Sequence, residues 1–348
     1  MKKSPTLVDV AKLANTSKAT AARVFSRSKS ANVKQETKAR ILEAADKLGY
    51  SPNMSAASLR SKKTYLIALC IHDITNPSSP SLIRGIQDEL AQHGYDLVVF
   101  NSDWDPNKEK KNLRAVVRNQ LDGLILQDPS DELDVSELPD LPSVILTSNE
   151  VFSAVRNTVS TDTVGGVRKA LTYLHSMGHD RIGILLGGSV SQITNRKRAY
   201  LDFYEGVGLK VEDRLIVDVP FKTRASDTFI MAKELIVDLM RSPQRPSAIF
   251  ASNDMLGLAA LQMAQIEGLQ VPRDLSVVGM DDLFSAESAS PALTSVSKHR
   301  FQVGAQAARN LLNQINSEHS MEKGPINELV ECTLVVRDSS GPIAEVDV

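Results

Sequence analysis

TLVDVAKLANTSKATAARVF, residues 6–25, decides the reading of this chain. Thr6 and Asp9 stand at capping-box spacing, with Asp9 in place of the usual Glu. They open a helix whose apolar face is expected to carry Val10, Leu13 and Ala14. Asn15 sits where a tight turn needs a residue tolerant of the left-handed region. Ser17 then caps a second helix, expected over 18–26, with Ala21, Val24 and Phe25 inward. Its outward face carries Lys18, Ala19, Thr20, Ala22 and Arg23. Ala11 and Ala21 are small enough to let the two helices approach closely. A third helix is expected over 35–48, with Ile41, Ala44, Ala45 and Leu48 inward and Gly49 as its C-cap. Such a pair of helices presents the second to the DNA major groove, its first turns at the base edges. A small helical bundle with a solvated basic face is the alternative at this point.

Charge favours the first reading. Residues 1–64 hold fourteen Lys/Arg and four Asp/Glu, a net of +10; the remainder holds twenty-six and thirty-eight, a net of −12. The total of −2 and the sequence pI of about 6.3 hide this segregation. A basic end on an acidic chain is the footprint of a domain that docks on a polyanion. With 348 residues, two or three domains are expected. No apolar run approaches the ~18 residues of a membrane span, and MKKSPTLVDV has no apolar stretch of signal length, so a cytoplasmic protein is expected. Cys70 and Cys332 each lie in an apolar, strand-like run, which predicts two reduced, buried thiols.

Beyond the three helices, Tyr50-Ser-Pro-Asn53 starts another short helix over 54–60, followed by Ser61-Lys-Lys-Thr64. The run over 6–25, with LGYSPNMSAASLRSKKT over 48–64, resembles the DNA-binding headpiece and hinge of the LacI/GalR family of bacterial transcriptional regulators. The resemblance implies a hinge that folds on the operator and inserts a leucine into the minor groove. Leu59 holds that place, with Ala56 beside it. The DNA-facing set it implies is Thr6, Ser17, Lys18, Ala19, Thr20, Ala22, Arg23, Asn53, Ala56 and Leu59. Lys18, Ala19 and Arg23 are the candidates for base readout, arginine suiting guanine. Ala21, Ala22 and Ala57 depart from the family's usual Val, Ser and Arg, which bears on operator sequence and affinity.

From Tyr65 short apolar runs alternate with amphipathic stretches. Strands are expected at 65–71, 96–100, 123–127, 143–147, 182–186, 248–252 and 276–280. Helices are expected at 81–93, 107–119, 166–177, 196–205, 256–267 and 303–315. Such alternation implies parallel sheets with right-handed crossovers. The stretches 73–77, 162–166, 178–182, 252–254, 271–281 and 291–295 are similar to core motifs of the same family. The resemblance thus implies an N-terminal all-α helix-turn-helix headpiece with a hinge helix, then an α/β two-lobed core like a periplasmic binding protein. The expected division is 1–50 headpiece, 51–64 hinge helix and linker, and 65–338 core. The N-lobe takes about 65–162 and 291–323, and the C-lobe about 163–290 and 324–338. Residues 339–348 show no pattern and are expected to be a disordered tail.

Carried onto this chain, the family's effector cleft implies Asp73, Trp104, Thr147, Arg196, Phe221, Asn253, Asp281 and Lys298. Asp281 and Asn253 can hold adjacent hydroxyls, Arg196 can grip a carboxylate or hydroxyl pair, and Phe221 can stack on a sugar face. Asp281 as a strand-end cap, Arg196 as a solvated helix residue and Lys298 as a snorkelling cation are the plain alternatives. Lys298 stands where the family often has Gln, and a cation beside Arg196 suits a sugar acid or sugar phosphate as well as a sugar. Ser78 and Ser79 replace frequent aromatics. Expected partners are duplex operator DNA, a small-molecule effector and a second copy of the chain, with no membrane. No catalytic residue, metal or cofactor is expected: G-x-S-x-G, G-x-x-x-x-G-K-[ST] and H-E-x-x-H are absent, the six histidines lack ligand spacing, and Gly187-Gly-Ser189 is a lone glycine-rich turn. An enzyme or an exported solute-binding protein is the competing class; a repressor of carbohydrate-utilisation genes is the reading adopted.

Overall fold

Helix α1 (Leu7–Leu13) starts where the sequence places it, because Thr6 and Asp9 cap each other reciprocally. The computed structural model describes residues 5–25, 33–51, 63–147, 150–220, 225–316 and 324–343. The chain turns through Asn15 at φ 49° into α2 (Lys18–Val24), whose first turn is held by Ser17 Oγ accepting the Thr20 amide at 3.1 Å. Phe25 is already the C-cap, so α2 is shorter than the expected 18–26. Helix α3 (Gln35–Leu48) ends at Gly49, φ 65°. Val10, Ala11, Ala14, Ala21, Ile41, Ala44 and Ala45 form the shared core, and Phe25 meets Tyr50 edge-on at 5.5 Å. Leu13, expected inward, is 53% exposed. The buried stripe runs through Val10, Ala11 and Ala14 instead, and Leu13 falls on its far edge. The expected hinge helix at 54–60 lies outside the described residues.

The core is built from strand–helix units in two lobes. The first contains β1 (Leu66–Ile71), α4 (Ser79–Gln92), β2 (Asp96–Asn101), α5 (Pro106–Arg118), β3 (Gly123–Gln127), β4 (Ser143–Leu146), α6 (Glu150–Ser153) and β5 (Asn157–Thr161). The second contains α7 (Thr163–Ser176), β6 (Ile182–Leu186), α8 (Val190–Gly206), β7 (Ile216–Asp218), α9 (Ala225–Arg241), β8 (Ala248–Ala251), α10 (Asp254–Ile266), β9 (Ser276–Asp281), α11 (Phe284–Glu287) and β10 (Thr294–Ser297). The chain then runs through α12 (Arg300–Asn316), β11 (Asn327–Val330) and β12 (Thr333–Val335). The first sheet has the order β11-β5-β4-β3-β1-β2 and the second β12-β10-β9-β8-β6-β7. All described pairings are parallel except β10 with β12. Strands buried on both faces read as continuous apolar runs. In the second lobe Ile249 and Val277 face one core, while their neighbours Phe250 and Val278 face the other.

Strand pairing places the passages between lobes. The first is at Asp162, between β5 and α7. The second follows Ser297: β10 pairs with β9 in the second sheet, whereas α12 packs on α4 and on the first sheet. The third lies between β11, paired with β5, and β12, paired with β10. The boundaries at 290 and 323 that the resemblance implied therefore fall earlier than the strand pairing places the crossings. Helices α4 and α12 meet backbone to backbone. A Cβ on Gly85 would lie 2.0 Å from the Phe301 carbonyl oxygen, and one on Gly304 would lie 2.3 Å from that of Leu82.

Residues 339–343, expected to be disordered, are folded against the second sheet. Ser339 is fully buried, its Oγ donating to the Val277 carbonyl at 2.6 Å and accepting the Thr294 amide at 2.8 Å. The Ile343 amide donates to Met177 O at 3.0 Å. Hydroxyls and backbone, not apolar side chains, hold this stretch, so hydrophobic periodicity could not show it. Residues 344–348 lie outside the described residues. Cys70 and Cys332 are buried free thiols; burial, chiefly, pushes their pKa values up to about 12 and about 11. Among the described residues no helix is long and apolar enough to cross a membrane, and no cluster of His, Cys, Asp and Glu could hold a metal ion.

Candidate functional site

Helix α2 presents the DNA-facing candidates of the headpiece. Ala21 is buried while Lys18, Ala19 and Arg23 are exposed and Thr20 and Ala22 are half-buried. Thr6 and Ser17 hydroxyls are engaged in capping: Thr6 Oγ1 donates to Asp9 Oδ2 at 2.7 Å, and Ser17 Oγ lies 2.9 Å from Thr20 Oγ1. Asn53, Ala56 and Leu59 lie outside the described residues.

The second candidate region is at the C-terminal ends of the strands, the usual ligand position in open α/β sheets. On the first lobe, His72 follows β1 and is 5% exposed. Its Nε2 donates to the Asp128 carbonyl, which can only accept, and its Nδ1 lies 3.2 Å from Ser102 Oγ. Trp104 stacks on this ring at 4.0 Å with a 13° interplanar angle. Asp103, Trp104 and Asp128 all have left-handed backbone, φ 53°, 60° and 42°. For side chains other than glycine that conformation is costly and is found where a site needs it. Thr147 is buried just after β4. Asp73 is turned back on its own loop, Oδ1 accepting the Thr75 amide at 2.8 Å and its hydroxyl at 2.6 Å. Ser78 and Ser79 are buried and stitch the same loop, to Asn76 Oδ1 at 3.0 Å and Asp73 O at 3.1 Å.

On the second lobe, Arg196 extends from α8 and is 6% exposed. The helix starts at Val190, not at Arg196 as expected, because Ser189 caps it by accepting the Gln192 amide. Arg196 therefore sits two turns inside α8, its Nη1 donating to Gly187 O at 3.0 Å. Its Nε–H is buried without a hydrogen-bond partner among the described residues. Asp281 and Lys298 form a salt bridge of 2.7 Å, with side chains only 10% and 12% exposed. Lys298 thus does not snorkel to solvent. Burial pulls the pKa values of Arg196 and Lys298 down, and the Asp281 carboxylate opposes the shift in both. Arg196 also feels Asp128 from the first lobe, and Lys298 feels Arg196. The structure therefore gathers Arg196, Asp281 and Lys298 and adds Asp128. Arg196, expected beside the cation Lys298, thus also feels a second acid. Asn253 caps α10, its Oδ1 accepting the Leu256 amide at 2.9 Å. Phe221 lies outside the described residues.

Sequence reasoning missed Asp128 and His72. Asp128 follows the apolar strand 123–127 directly, and an acid at a strand's C-terminal end was a usable signal. Residues 6–53 match the family described as bacterial regulatory proteins, lacI family, and residues 171–340 match the periplasmic binding protein-like domain. The HTH-type transcriptional regulator DegA of Bacillus subtilis is 30% identical over 97% of this chain and 98% of its own. The chain belongs to the LacI family. It is a helix-turn-helix, DNA-binding transcriptional regulator with a two-lobed binding-protein-like core. Its similarity to the HTH-type transcriptional repressor CytR of Escherichia coli is 29% identity over 96% of each chain. Among solved structures, the complex of the transcriptional regulator CelR with cellobiose matches at a TM-score of 0.69 and 27% identity, covering 96% of this chain and 99% of that one.

Proposed function

We propose that this LacI-family member is a cytoplasmic repressor of carbohydrate-utilisation genes that binds a palindromic operator as a homodimer. A sugar-type effector, a sugar acid or sugar phosphate among the candidates, binds between the lobes and changes their closure. The observation that carries the effector reading is Arg196, a buried cation with an unpartnered Nε–H beside the Asp281–Lys298 pair. A buried donor left unmade is costly, and an anionic ligand oxygen would satisfy it with a charge-assisted bond. The cellobiose complex of the similar CelR supports a sugar-type ligand. The basic outward face of α2 supports the operator reading, and the regulator relatives support a regulator over an enzyme. An effector acts by binding one lobe arrangement better than the other.

The test is calorimetry of the full chain against cellobiose, glucose, glucuronate and glucose 6-phosphate. Binding of an acidic sugar, weakened by about 1–3 kcal/mol in Arg196→Gln, is expected. Tight binding of a neutral sugar alone, indifferent to Arg196→Gln, would remove the acidic-effector reading. For the operator reading, Arg23→Ala is expected to weaken binding by about 1–3 kcal/mol and relax preference at one position per half-site. Equal losses on cognate and scrambled duplexes, measured by fluorescence anisotropy, would assign Arg23 to phosphate instead.

A further inference from the structure

Asp254 is fully buried in the first turn of α10 and is not among the expected effector-cleft residues. Its Oδ2 accepts the Leu283 amide at 2.7 Å, and its Oδ1 accepts the Ser295 hydroxyl at 2.5 Å. Ser295 Oγ in turn accepts the Asp282 amide at 3.1 Å. Two consecutive amides of the turn after β9 are thus tied to one carboxylate, one directly and one through a hydroxyl. That turn is strained, with φ 141° at Asp281 and 62° at Asp282. It begins with Asp281, the partner of Lys298, and its second residue is held by Arg337 Nη2 on Asp282 Oδ1 at 2.6 Å. Strand β9 makes room for the carboxylate: a Cβ on Gly279 would lie 2.4 Å from Asp254 Oδ1.

We propose that Asp254 is a positioning residue of the effector site, clamping the 281–283 turn in the strained form that aims the Asp281 carboxylate at Lys298 and the cleft. The proposal rests on the reading of Asp281 as an effector-facing residue. It accounts for a charge kept where charge is unfavourable. Burial, then the neighbouring Asp281 charge, push the Asp254 carboxyl up to about 6 from 3.8, against the Leu283 amide, Ser295 and Lys298. Asp281 and Lys298 are the charged groups that face it, with the Asp282–Arg337 pair next along the turn. The folded carboxyl binds a proton that the unfolded one has lost between about pH 4 and about pH 6. This group's contribution to stability therefore falls as pH rises through that window and is level above it. Protonation removes an acceptor from the turn, so the turn loosens below about pH 6. Through this group, the fold gains stability in that same range.

The experiment is hydrogen exchange by mass spectrometry on peptides spanning 281–283 in the full chain, corrected for intrinsic rates, from pH 5 to pH 8. Wild type, Asp254→Asn and Ser295→Ala are compared, with thermal midpoints alongside. Exchange in wild type is expected to quicken at least tenfold below about pH 6. In Asp254→Asn it is expected to be at least tenfold faster at pH 7.5 with the pH step gone, the rest of the second lobe unchanged and the midpoint lowered by no more than a few degrees. Glucuronate binding, read from Trp104, the chain's single tryptophan, should weaken at least tenfold in the same variant. Unaltered exchange at 281–283, or loosening spread over the whole lobe, overturns the proposal. If Asp254→Asn does not fold, Ser295→Ala carries the same comparison with the same two outcomes. If wild type binds neither glucuronate nor glucose 6-phosphate, the acidic-effector reading fails while the exchange data still decide the role of Asp254.

Discussion

Lys298 and Asp281 show what a single buried pair does for a binding site. Each is pulled out of water, and each is tolerated because the other lies 2.7 Å away. Lys298→Met leaves Asp281 without its partner, and removing one member of a buried pair costs about 3–5 kcal/mol. Lys298→Gln keeps a donor within reach of Asp281 and is expected to cost less, about 1–2 kcal/mol. Urea unfolding of both variants checks the order; equal midpoints for wild type and Lys298→Met would mean that the pair contributes nothing. At this scale Arg196, Asp281 and Lys298 entered the expected cleft through the family resemblance alone, and the structure brings their charges within reach of one another. His72 was not legible, since its role arises only when β1 and β3 are paired and its Nε2 reaches the Asp128 carbonyl, whereas Asp128 carried a signal in its place at the end of an apolar strand. Asp73 was legible as a position but not as a partner: its own loop takes its carboxylate.

The elements repeat the lesson in backbone terms. Helices α4 and α12 approach so closely at Gly85 and Gly304 that the contact is between main chains, not side chains. Neither carbonyl can retreat without breaking its helix. Gly304→Ala is therefore expected to destabilise by about 3 kcal/mol, at the upper end of overpacking costs, although alanine favours helix. A thermal midpoint equal to wild type would show that the two helices can slide apart. The apolar strands and most helices were readable because burial on both faces leaves continuous apolar runs. Strand β5, Asn157-Thr-Val-Ser-Thr161, was not, since its polar residues are matched by backbone and side-chain bonds to β11 that no periodicity encodes. The start of α8 was missed for a related reason: Ser189 through Thr194 is rich in serine and β-branched residues, and a cap by Ser189 settles the question in favour of helix.

At the scale of the molecule the division of charge governs how the protein meets DNA. The net of +10 within residues 1–64 attracts the duplex, while the net of −12 in the remainder repels it. By net charge, residues 1–64 are thus the part of the chain that the duplex attracts. Binding to phosphate releases condensed counterions, and the logarithm of affinity falls with that of salt by about 0.9 for each phosphate neutralised. If the proposed homodimer engages two headpieces and neutralises roughly 6–10 phosphates, the slope is expected between about −5 and −9. Anisotropy on a palindromic site across a salt series measures it directly. Removing residues 1–63 should abolish the slope together with the binding and leave any sugar affinity of the core intact, because the two activities draw on separate sets of residues. A slope near zero in the full chain would mean that the basic segment does not meet the phosphates, and the charge division would then need another cause.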